Sequence, residues 1–168
     1  MTQTQAPIPI VYRLCINTIE PLLAFGGAVQ TLFWPADFLA IMAHRPQTGD
    51  TPVYDVRTHF LYTSLTGAWL LFAYLEAVVL RLYPNDVQLW KRLIVPMLLS
   101  DVLFCHSTAL AVGGYGELLS VAHYTSADWL VCVTTWPLVL ARVAFVLGVG
   151  LPSSTSSQGS RKAPSHAE

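Results

Sequence analysis

Apolar positions along the chain collect into four long runs separated by short polar breaks. A helix needs about 20 predominantly apolar residues to cross the hydrocarbon core of a bilayer. Four windows reach that length, at about residues 9–33, 58–83, 89–112 and 128–151. The last two are the most continuous, LIVPMLLSDVLFCHSTALAV and WLVCVTTWPLVLARVAFVLGVG. The second contains GAWLLFAYLEAVVLRL, and the first is interrupted by Glu20-Pro21 and Gly26-Gly27. A bundle tolerates such breaks when neighbouring helices shield the freed backbone groups. Trp34-Pro35 ends the first run, and a polar loop with His44, Arg45, Gln47, Asp50 and Asp55 leads to the second. Tyr83-Pro84-Asn85-Asp86 reads as a tight turn, which makes the second and third helices antiparallel neighbours. Gly113-Gly114-Tyr115-Gly116 opens the third connection. The pattern predicts an all-α fold: one polytopic bundle of four transmembrane helices over residues 1–151, then a low-complexity, disordered tail at 152–168.

Composition identifies the solvent. Hydrophobic residues make up 54% of the chain and charged residues 11%, against roughly 25% charged in soluble domains. In water this balance would expose a large apolar surface, so lipid is the expected surrounding. A net charge of −1 offers no basic footprint for nucleic acid. Cys15, Cys105 and Cys132 lie inside apolar runs without C-x-x-C spacing, which argues against a disulfide framework and against a zinc site. They read as small apolar filler. The segment before Pro9 has neither a basic n-region nor a small-residue cleavage site, so no removable signal peptide is expected. Lys and Arg are unevenly placed: Arg13, Arg81, Lys91, Arg92, Arg161 and Lys162 fall on one side, Arg45 and Arg57 on the other. The positive-inside rule then puts both termini in the cytoplasm, and Trp34, Trp90 and Trp129 at span ends act as interfacial anchors.

Four ionisable residues sit where lipid would penalise them. A charge at a helix centre costs about 2.5–3.5 kcal/mol even on the lenient insertion scale. At about 1.5 Å per residue from the cytoplasmic edge, Glu20 lies roughly 16 Å deep, Glu76 roughly 10 Å, Asp101 roughly 18 Å and Arg142 roughly 13 Å. Charges at a common depth on four helices can meet in the bundle centre. The helical faces agree: Arg13, Asn17 and Glu20 form one stripe, Thr58, Tyr62, Trp69 and Glu76 lie near another, and Asp128, Thr135 and Arg142 recur every seven residues. His106 stands beyond Asp101 on the third helix. Together these predict a polar channel or pocket that runs from the cluster toward a rim at Asp128, with Tyr124 and His123 beside it.

Each of these residues also has a plainer reading. Arg142 can serve only to neutralise Glu20 or Glu76, Arg81 can snorkel to the interface, and His106 can be a hydrogen-bonded packing residue. Three carboxyl groups against one arginine cannot all be paired as ions, however, so at least one is expected to keep its proton. A protonated acid beside an ionised one suits general acid–base work. No nucleophile elbow, phosphate loop, H-E-x-x-H or Cys/His ligand set is present, and no cofactor or metal is expected. The chemistry left is proton movement on a lipophilic substrate: epoxide opening, cyclisation or double-bond isomerisation.

Several segments resemble a known family: Ile8 to Arg13 with Ile19-Glu20-Pro21, Leu71-Phe72-Ala73 with Glu76 to Arg81, Asp86 to Trp90, Asp101, Ala127-Asp128-Trp129, and RVAFVLGVG from Arg142. In order and spacing they are similar to small fungal four-helix membrane proteins, some of which look like epoxide hydrolases or cyclases of citreoviridin- and aurovertin-type polyene-pyrone polyketide pathways. The likeness covers about residues 8–151. It implies an endoplasmic-reticulum hydrolase or cyclase of secondary metabolism. Its substrate would be a lipophilic epoxidised intermediate, and Glu20, Glu76, Asp101, Asp128 and Arg142 would be functional. The chain departs from the family in the spacing of His106 from Asp101 and in having Ser126 and Leu130-Val131 around the Asp-Trp pair.

Two further classes stay open. One is a non-catalytic lipid-binding or complex-stabilising membrane protein, whose buried charges fix the bundle and which can form a homo-oligomer. The other is a sterol-isomerase-like or terpene-cyclase-like enzyme with the same acids and a hydrocarbon substrate. A transporter has little basis in four helices without an internal repeat.

Overall fold

The computed structural model describes residues 7–44 and 53–151. The tail expected to be disordered, the loop residues Arg45, Gln47 and Asp50, and Arg161 and Lys162 of the orientation count lie outside the described residues. Every element among the described residues is helical. In chain order these are α1 (Ile10–Phe33), α2 (Pro35–Met42), α3 (Val56–Leu82), α4 (Val87–Val112), α5 (Tyr115–Leu119) and α6 (Ser126–Val146). α3, α4 and α6 are each long and apolar enough to cross a membrane. α1 meets that test together with α2, across a bend of 116°, so there are three such helices among the described residues, or four if the bent pair is one span.

The helix ends follow local chemistry. Asp86 starts α4 by accepting the Leu89 N–H at 2.9 Å. Gly113 ends it at φ 109°, a left-handed conformation that glycine adopts without a Cβ clash. α6 opens on a capping box in which the Asp128 carboxylate accepts the Thr125 N–H at 2.7 Å. The first run does end at Trp34-Pro35, but Pro35 then takes the first position of a new helix rather than a loop, which its fixed φ and missing N–H permit. The predicted turn at Tyr83-Pro84-Asn85-Asp86 is present.

α1 lies along α3, and α4 along α6. The first pair is close because Gly27 meets the Trp69 ring, where a Cβ would come within 2.1 Å of the indole. One turn on, the Thr31 and Thr66 hydroxyls share a hydrogen bond of 2.9 Å. A hydrophobic core of Ile8, Tyr12, Ile16, Leu80, Trp90, Ile94 and Phe145 joins the two pairs at one end. There the Tyr12 hydroxyl donates to the Val149 carbonyl at 2.7 Å, and the Tyr12 ring meets Phe145 edge-on at 5.1 Å. At the opposite end α2 bridges the pairs: it touches α4 and α6, and Phe38 packs on Tyr62 and Trp69 of α3. Many large apolar side chains, such as Leu22, Phe25, Leu99, Val133 and Leu140, face outward. An outer surface of this kind suits hydrocarbon and not water.

Candidate functional site: a buried carboxyl–guanidinium hub

Arg142 of α6 is 3% exposed and holds one carboxyl group from each of the other three long helices. Its Nη1 donates to Asp101 Oδ2 of α4 at 2.5 Å, and its Nη2 donates to Glu76 Oε1 of α3 at 2.9 Å. The same Nη2 forms an ion pair with Glu20 Oε1 of α1. Glu76 is fully enclosed and Glu20 nearly so, whereas the Asp101 side chain keeps 18% of its surface accessible. The four intramembrane charges expected to share a depth are thus in direct contact.

Two π-helical turns position the glutamates. Residues Cys15–Ile19 form one, directly before Glu20, and Leu75–Val79 form the other, around Glu76. The two turns pack against each other, and the first also packs on α6. π-turns are rare and tend to occur at functional sites. Pro21, which has no N–H, leaves the Asn17 carbonyl without its ordinary helical donor. Arg81 supplies one, with Nη2 donating to Asn17 O at 2.5 Å and to Thr18 Oγ1 at 3.3 Å. Arg81 therefore repairs the break in α1, a role beyond snorkelling.

Among the described residues, four buried polar atoms in this region have no hydrogen-bond partner: Asn17 Oδ1, Glu20 Oε2, Glu76 Oε2 and Arg142 Nε. The Glu20 and Glu76 carboxyls meet at the same nitrogen of Arg142. Two carboxylates cannot bond directly, because neither has a donor until one is protonated. Three acids around one cation therefore create room for one proton to be held between the glutamates.

The remaining expected site residues lie elsewhere. Asp128 is 14 residues from Arg142 on the same helix, about 21 Å along its axis, and so is not part of the hub. It caps α6 and faces His44, whose Nε2 approaches Asp128 Oδ2 to 3.0 Å. The other ring nitrogen, Nδ1, is 2.8 Å from the Ile41 carbonyl and, because a carbonyl only accepts, donates to it. A cavity of about 20 Å³, the size of one water, lies beside the pair and is lined by Met42, Thr108, Tyr124, Cys132 and Trp136. His106 is on the outer surface, paired with the Tyr115 hydroxyl at 2.7 Å, and does not reach Asp101's partners. His123 is exposed beside Glu117, and the Tyr124 hydroxyl donates to Leu118 O at 2.7 Å. The continuous polar channel expected between hub and rim is not formed by these residues: His106 and His123 point outward, and Tyr124 is spent on backbone. Thr135 is half-buried between the two sites.

Reading the spans missed two features. His44 stood in a stretch read as loop, although it closes α2 onto α6. The π-turns have no periodicity signal, and only Pro21 beside Glu20 marked the first of them. Among the described residues no group of three or more His, Cys, Asp or Glu side chains is arranged to hold a metal ion.

Fold and site together define a class: a helical membrane protein with a buried hub of three carboxyl groups on one guanidinium. Over residues 5–152 the chain matches the family described as a domain of unknown function (DUF7704), and it belongs to that family. No curated protein and no solved structure matches it.

Proposed function

We propose that the protein is a membrane-embedded, cofactor-free acid–base enzyme that opens epoxides of a lipophilic, polyketide-type intermediate by hydrolysis or cyclisation. In this reading it crosses the endoplasmic-reticulum membrane four times with both termini in the cytoplasm, and α1 with α2 forms the first crossing. The observation that carries the proposal is the hub itself, in which three carboxyl groups compete for one guanidinium and two of them meet at one of its nitrogens.

The roles follow from the partners. Asp101 is bonded to Nη1 of Arg142 and is the most accessible of the three, so it is the carboxylate that accepts a proton. The Glu20–Glu76 pair holds the proton to be given. Water, or a hydroxyl of the substrate, attacks an epoxide carbon as Asp101 takes its proton. The carbon–oxygen bond of the ring breaks, and the leaving oxygen takes the proton of the glutamate pair. Returning one proton from Asp101 to that pair restores the site, and the net change is addition of the nucleophile's O–H across the ring bond. Arg142 stays charged and holds the acids in place.

The test is conversion of a lipophilic polyepoxide by membranes that contain the protein. Asp101→Asn and Glu20→Gln are expected to lower turnover at least 100-fold while protein level stays within twofold. Full turnover by both amides refutes the assignment.

Complete enclosure of Glu76 and Arg142 favours a second reading, a non-catalytic membrane protein whose hub locks four helices together. In that case the same amides reduce protein level and leave no chemistry to lose.

A further inference from the structure

We propose that the hub binds the head of a long-chain amino alcohol, a lipophilic amine with a neighbouring hydroxyl group. The inference uses the same side chains as the acid–base reading but does not depend on epoxide chemistry.

Charge comes first. Three carboxyl groups against one guanidinium leave two negative charges in excess when all are ionised, and a buried excess of that sign is relieved by a proton or by a cation. The identity of the cation follows from the atoms left unpaired. Asn17 Oδ1, Glu20 Oε2 and Glu76 Oε2 are three acceptors without a donor, and Arg142 Nε–H is one donor without an acceptor. A primary ammonium has three N–H donors and no acceptor. A hydroxyl oxygen on the next carbon supplies the acceptor that Arg142 Nε needs. The unpaired set therefore matches the three N–H groups of one ammonium and the oxygen of one hydroxyl, whose own O–H has the second lone pair of a carboxylate oxygen to donate to.

Asn17 is independent of the acids and stands three residues before Glu20 on α1. It is 4% exposed and sits on the π-turn that packs against both α6 and the π-turn of Glu76. A buried carboxamide oxygen without a donor costs free energy in apolar surroundings unless something fills the vacancy. Glu20 and Glu76 share Nη2 of Arg142 through their Oε1 atoms, so the two carboxyl groups meet at one nitrogen and their buried Oε2 atoms are the ends left over. The ammonium would replace the proton that otherwise lies between them. The alkyl chain would leave past Asp101, the most accessible of the hub's four members, along helix faces that are apolar and exposed.

The experiment measures binding to the purified full chain in detergent by the ligand-induced rise in melting temperature. Four probes of equal chain length are compared: a vicinal amino alcohol, a primary amine, an alcohol and a trimethylammonium. The expected order is amino alcohol first, the primary amine weaker, and both at least tenfold tighter than the alcohol and the trimethylammonium. Glu76→Gln is expected to abolish the preference. Because that variant can fail to accumulate, Asn17→Leu provides a second test, with a loss of at least fivefold for the primary amine and no change for the alcohol. Equal affinity for amine and alcohol overturns the proposal, and so does a trimethylammonium that binds as tightly as the primary amine. Epoxide turnover is followed on the same preparation. Amine preference without turnover rejects the acid–base reading and keeps this one, while turnover without amine preference does the reverse.

Discussion

Removing the guanidinium isolates the physics of the hub. Arg142→Leu leaves three carboxyl groups inside the helix bundle with no cation, two of them more than nine-tenths buried. Deleting one partner of a buried ion pair typically costs about 3–5 kcal/mol, because the other charge stays desolvated and unpaired. Here the abandoned acids can take protons, which moves the expectation toward the lower end, about 3 kcal/mol, or more than 100-fold in the folding equilibrium. Replacing Glu20, Glu76 and Asp101 by leucine in the same chain removes the orphaned groups, and most of that loss should return, since apolar replacement of a whole buried ion cluster is often neutral or stabilising. The assay is reversible unfolding in mixed micelles followed by tryptophan fluorescence, with Trp90 reporting from the core. A loss below about 1 kcal/mol for Arg142→Leu alone would place the guanidinium in water and refute the buried hub.

Three other perturbations test the frame around it. Gly27→Ala drives a methyl into the Trp69 ring and should separate α1 from α3, at about 1–3 kcal/mol in the same unfolding assay. Thr31→Val and Thr66→Val each break the hydroxyl pair, and their double-mutant cycle should give a coupling of about 0.6 kcal/mol, in the range found between membrane helices. Asp128→Asn removes the charge facing His44 and loosens α2 from α6. Cys132 in the adjoining cavity should then react several-fold faster with a membrane-permeant maleimide, whereas an unchanged rate would show that the contact holds nothing in place.

Much of the arrangement was written in the chain as an energetic contradiction. Glu20, Glu76, Asp101 and Arg142 stood in runs otherwise apolar enough for lipid, and only mutual pairing could reconcile them with that surrounding. Depth counting sufficed because rise per residue hardly varies between helices. Angular position is less legible. The regular stripe of Arg13, Asn17 and Glu20 fails at its first member, which is exposed while the other two are buried, because a π-turn lies between them. Asp128 shares a face with Arg142 but lies four turns away along the axis, so a shared face alone does not join the two into one site. Its role at the helix start was readable in Thr125, three residues before it. His44 was hidden by distance in sequence: its partner is 84 positions further on, and nothing local announces the contact.

The paired π-turns also set where along α1 and α3 the bundle can lose a residue. An α-helix advances about 100° per residue, so an inserted residue can be absorbed in a wider turn only where neighbours accommodate it. Deleting one residue from Cys15–Ile19 would close the wide turn into an ordinary α-turn and leave the two halves of α1 facing as they do now, because the extra residue is what the wide turn absorbs. Tyr12 would stay in the core and Gly27 and Thr31 would stay against α3, while the face that carries Asn17 beside Arg81 would be rebuilt. The same deletion in the regular stretch Glu20–Phe33 removes about 100° of rotation with no wide turn at that point to close, and would set the two ends of that stretch in incompatible directions.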